Sequence, residues 1–238
     1  MIYFNMIYAL LIGGALITVG RLIYDYKKAS VGVLLIYFLN GTLLLGLIRL
    51  FLALVALQVI KIDDSTAMVI WHLMFYVAIG LFVLATRILV KIVGQTEYKE
   101  PLSRALLVFC LSIFVFGLLF VTAPSFDKLV VATFKDTFWD RVGLPHFIAF
   151  GFAGLVSYYL LQVQQKFEGN IKAIAFPLLF SIGTLSIIHL WELLNESWGV
   201  IKVSEDFGEG VEMYLWIPVY LLTFYAFWKF REVSKLRS

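Results

Sequence analysis

AIAFPLLFSIGTLSIIHLWELL, residues 173–194, is the stretch whose reading decides the fold. Its one ionised side chain is Glu192, the third residue from the end. As a helix rising ~1.5 Å per residue it would be long enough to cross the ~30 Å hydrocarbon layer of a bilayer. The apolar residues run continuously rather than alternating, which argues for a helix and against a barrel strand.

Six further stretches read the same way: Met1 to Tyr24, Val31 to Ile60, Thr66 to Arg87, Arg104 to Thr122, Leu144 to Gln162 and Val211 to Phe230. Across all 238 residues 62% are hydrophobic and 15% charged, well below the ~25% charge of a soluble domain. The sequence therefore predicts an all-α polytopic membrane protein, a seven-transmembrane-helix bundle forming one domain over residues 1–238. Short connections leave no room for an appended soluble module.

Orientation follows from the distribution of lysine and arginine, which are retained on the cytoplasmic side. With segment ends and loops assigned alternately, one side carries 13 Lys/Arg and 5 Asp/Glu, and the other carries 5 and 11. The net charge of +3 thus conceals a strong transverse asymmetry. The expected arrangement has the N-terminus outside and the C-terminus cytoplasmic, in a plasma or inner membrane. No charged n-region precedes the first stretch, so it is expected to stay as a helix.

Two outward connections are longer than the rest. Pro124 to Gly143 spaces Phe126, Leu129, Val130, Phe134 and Phe138 at helical intervals among charges, which predicts a helix lying in the interface over 126–142. Asn195 to Glu212 is an acidic, glycine-containing turn, read as a solvated loop that could attract cations. Most tryptophans fall near the outward side, as an aromatic belt would place them. Cys110, the single cysteine, reads as a buried small hydrophobe and excludes an internal disulfide.

The chain has three histidines, and all fall near the outward ends of segments. His72 and His189 lie about one and a half turns inside, at matching height, while His146 follows Pro145 at a segment start and reads as shallower. Arg49 is deep enough to need a counter-charge, for which Glu192 is the candidate. His189, Glu192 and Glu196 would form one stripe on a helix face. Imidazole and carboxylate suit zinc, copper or iron, so His72, His146, His189, Glu192 and Glu196 are candidate metal ligands.

A haem b is the competing cofactor, with His72 and His189 as axial ligands, Arg49 near a propionate, and Gly151, Gly154 and Gly183 giving room for a flat ring. A single His-x-x-Glu motif disfavours a di-iron centre of the carboxylate-bundle type. No serine is aligned with a histidine and a carboxylate, so no catalytic residue is assigned; Glu192 or Glu196 could act as base beside a metal-bound water. Seven segments match rhodopsins and seven-helix receptors in number only: Lys229 lies at the inner boundary, where it could not carry a retinal.

The expected function is binding of a metal ion or haem at an outward His/Glu site, in redox chemistry or metal handling, within a larger complex of membrane subunits. The alternative is a cofactor-free sensor, receptor or assembly subunit with an outward pocket for an unidentified small molecule. The expected surroundings are the lipid bilayer and other membrane subunits; no nucleic-acid partner is expected.

Overall fold

In the computed structural model, residues 30–94, 101–134, 142–166 and 170–235 are described, with isolated positions between 7 and 24 that are helical. Six α-helices have both ends within these residues: α1 (Ser30–Ala56), α2 (Asp64–Gly94), α3 (Leu102–Phe134), α4 (Leu144–Lys166), α5 (Asn170–Glu192) and α6 (Glu205–Lys235). A π-helical turn, Leu193–Ser197, extends α5. Most of the first apolar stretch, and residues 135–141 with Trp139, lie outside the described residues.

Five helices are long and apolar enough to cross a membrane: Val33–Ala56, Asp64–Lys91, Leu102–Thr133, Leu144–Gln165 and Lys172–Ser197. The chain is thus all-helical and has the make-up of a polytopic membrane protein. The run in α6 is diluted by Tyr214, Trp216, Pro218, Tyr220 and Tyr225, and α6 is not among the five.

The sequence reading ends the fourth stretch at Thr122, two residues before Pro124, which lacks an N–H and would crowd the preceding turn of a helix. Instead, α3 runs through Pro124 to Phe134. The region read as the start of a separate interfacial helix therefore continues α3. Lipid-embedded helices tolerate such breaks where other groups satisfy the backbone. Here Asp127 ties the far end of α3 to the start of α2, its Oδ1 accepting from the backbone N–H of Asp63 at 2.9 Å. Asp63 Oδ1 accepts in turn from the N–H of Ser65 at 2.9 Å, capping α2.

Helix α2 is central, packing on α1, α3 and α4, while α5 lies between α4 and α6. Tyr37, Phe51, Phe75, Ile79, Leu185 and Ile188 are fully buried in this core. The close approach of α1 to α2 is made at Gly41, where an added Cβ would lie 3.1 Å from the Phe82 ring and 3.3 Å from the Ala78 carbonyl oxygen. Gly151, Gly154 and Gly183, read as room for a flat ring, face open space. Cys110 is exposed on α3, not buried; among the described helices α3 packs mainly on α1 and α2.

Candidate metal centre

Three helices and a short turn bring the histidines together. His72 lies on α2, His146 in the first turn of α4, and His189 on α5 three residues before Glu192. The ring centroids of His72 and His146 are 4.7 Å apart, those of His146 and His189 6.1 Å, and those of His72 and His189 6.5 Å. All three rings and Glu192 are buried. His146, read as shallow, is drawn inward by its bond to Glu192.

The hydrogen bonds determine where the protons sit. A carbonyl only accepts, so the 2.9 Å contact between His72 Nδ1 and the Met68 carbonyl oxygen puts the proton of His72 on Nδ1 and a lone pair on Nε2. Oε2 of Glu192 lies 2.7 Å from Nδ1 of His146 and 2.5 Å from Nδ1 of His189. A carboxylate also only accepts, so both imidazoles donate Nδ1–H to it, and a neutral ring so placed carries its lone pair on Nε2.

His189 Nε2 is buried with no partner. His72 Nε2 lies 3.4 Å from Nδ1 of His146, whose proton is directed at Glu192. Among the described residues, Oε1 of Glu192 accepts no hydrogen bond either. Buried acceptors without donors are costly unless something positive meets them.

The start of α4 is clamped in three ways, and each clamp fixes His146. Tyr76 on α2 donates to the carbonyl of Pro145 at 2.7 Å, and Trp198 Nε1 donates to the carbonyl of Val142 at 3.2 Å. Gly143 has φ of +63° and its Cα faces the Ser197 side chain, so any Cβ there would collide with Ser197. The π turn thus serves two purposes: it follows Glu192 and it abuts the segment that carries His146. Such turns, with i to i+5 bonds like that from Trp198 N–H to Leu193 O, recur at functional sites.

Beside this cluster lies a cavity of about 360 Å³, partly open, whose walls include His72, His146, Glu192, Glu196, Glu209, Glu212, Trp71, Trp216 and Arg49. Trp71, read mainly as a membrane anchor, is a buried wall stacked on Phe75 with centroids 5.2 Å apart. Arg49 donates from Nε to Tyr220 at 3.1 Å and its guanidinium lies 4.2 Å from the centre of the Trp216 ring. The counter-charge reading paired Arg49 with Glu192; the hydrogen bonds of Glu192 go to His146 and His189. Glu196 is exposed at the rim, in hydrogen-bonding contact with Glu212 of α6.

His146, His189 and Glu192 form a group whose ligand atoms lie within 4.8 Å of one another, and which could hold a metal ion. His72 is adjacent, through His146, but is not part of that close group. The sequence reading passed over Glu212, Tyr76 and Gly143. Glu212 was absorbed into the acidic loop, although its spacing puts it at the start of an apolar run. Gly143 and Pro145, which flank Leu144, were a readable signal of an ordered helix start. Compared with protein-family models, curated proteins and solved structures, the chain matches none of them.

Proposed function

We propose that this chain is an integral membrane protein of seven crossings, N-terminus outside, that holds a divalent transition-metal ion at its outward end. His146, His189 and Glu192 form the core of the site, with His72 beside them. One observation carries this reading: the ligand atoms of His146, His189 and Glu192 lie within 4.8 Å of one another in a buried group, in which His189 gives Nδ1–H to Glu192 and keeps a buried Nε2 with no partner. Metal-bound histidines commonly have this arrangement, the second nitrogen donating to a carboxylate or carbonyl while the first binds the ion.

An ion fits better than a haem. Axial ligation by His72 and His189 needs a planar slot between them, and the contacts from His72 through His146 and Glu192 to His189 occupy that path. Mixed nitrogen and oxygen donors suit zinc, iron or copper, in metal handling or redox chemistry. The cavity supports a second reading, a sensor with a small-molecule pocket, since ~360 Å³ exceeds what one ion fills.

Elemental analysis of protein purified in mild detergent tests the first reading. It predicts close to one zinc, copper or iron per chain, lost in His146→Ala and in His189→Ala. A monodisperse, metal-free preparation that takes up none of these ions on dialysis contradicts it.

A further inference from the structure

Arg49 stands in the wall of the same cavity as His72, His146 and Glu192. It precedes the last residue of α1 by seven, and His72 follows the first residue of α2 by eight, so both lie about two turns inside the outward ends of their helices. The guanidinium reaches from α1 to α6, where its Nε donates to Tyr220 and its carbon lies 4.2 Å from the centre of the Trp216 ring. Arginine at this depth of a membrane helix is rare and marks a functional surface. Its planar fork suits the two oxygens of a carboxylate.

The rest of the cavity sorts an amphipathic ligand. Leu52, Val55, Met68 and Trp71 supply apolar wall, and Glu196, Glu209 and Glu212 supply charge. On α6, Trp216 and Tyr220 follow Glu212 by about one and two turns, so the guanidinium that they hold lies inward of that carboxyl. A negatively charged head is therefore repelled at the mouth and attracted further in. Inside it meets the metal group, since His146 and Glu192 both belong to that group and line the cavity. Three protein ligands leave a tetrahedral ion one position for an exogenous donor.

We propose that the cavity takes a small carboxylate-headed amphiphile, its head on the metal ion and towards Arg49, its apolar body along Leu52, Met68 and Trp71. This rests on the metal reading above and adds the ligand class of that site. The ion is then a ligand-exchanging centre facing the cavity, not a closed structural one. At about 360 Å³ the cavity is at the small end of ligand sites, which suits a short chain rather than a whole membrane lipid.

The test uses the full chain in maltoside detergent, loaded with one equivalent of cobalt(II), whose visible bands report a change of ligand. Octanoate should shift these bands saturably, and octanamide, similar in shape but uncharged, should bind about tenfold more weakly. Arg49→Gln should retain its cobalt, which reports an intact fold, and lose that preference. Bands that octanoate leaves unchanged, as they would be with His72 filling the fourth position, overturn the ligand proposal and leave the metal site standing. Equal affinity for the two compounds in wild type does the same, as does an undiminished preference in cobalt-loaded Arg49→Gln. The wild-type comparison decides alone if the variant fails to fold. Failure of wild type to take up cobalt overturns both the ligand and the metal site.

Discussion

Ser181 and His189 lie on the same helix, two turns apart, and show what separates packing from a site. Ser181 Oγ–H donates to the Val219 carbonyl at 2.8 Å, Thr223 Oγ1–H donates to that same carbonyl at 2.7 Å, and the two hydroxyls touch at 2.7 Å. The two protons go to one carbonyl and the group is closed. At His189 the same α5 carries a ring whose one proton goes to Glu192 and whose other nitrogen has nothing. Within α5, the Ser181 hydroxyl is closed by its partners while His189 leaves a buried ring nitrogen open beside a carboxylate and a second imidazole.

Breaking the open region should have the largest effect. His189→Ala removes a ligand and leaves a void against Phe75 and Trp71, so metal affinity should fall by ~100-fold or more, measured by competition with a chromophoric chelator. Removing the ion from wild type by chelation should cost about 2.7 kcal/mol if it had been saturated at ~100 times its Kd, read as a fall in thermal midpoint that readded metal restores. Chelation without any such fall would mean the site is not loaded.

Gly143→Ala tests the clamp. A non-glycine residue at φ of +63° costs ~1–2 kcal/mol, and its Cβ would push on Ser197, so both stability and metal affinity should drop. Adding Ser197→Gly should recover part of the affinity by removing the collision, while the backbone cost remains. In the closed region the expectation is small: Ser181→Ala should cost ~0.6 kcal/mol, the typical value of an interhelical hydrogen bond in a membrane, and leave metal content unchanged. Loss of metal in Ser181→Ala would dissolve the contrast between the two regions.

Much of this was legible from residue order. Long apolar runs identify membrane helices because nothing else buries that much apolar surface in continuous stretches. His189 and Glu192, three apart, are bound to share a helix face. What residue order could not give was convergence between helices. The depth assigned to His146 assumed a helix start in the interface, whereas Tyr76, Trp198 and Gly143 clamp that start against the π turn. Glu212 was lost in the acidic loop, since only tertiary packing of α6 beside α5 brings it to Glu196. The continuation of α3 through Pro124 is accompanied by a contact between Asp63 and Asp127, 64 residues apart, which residue order does not show.

The most direct measurement is X-ray absorption at the metal edge of protein purified without added metal or chelator. The account predicts an edge from zinc, iron or copper, with imidazole scattering in the first shells of wild type that disappears in His189→Ala. Protein that is folded and monodisperse yet gives no metal edge, or an edge whose first shell is the same in His189→Ala, would contradict it.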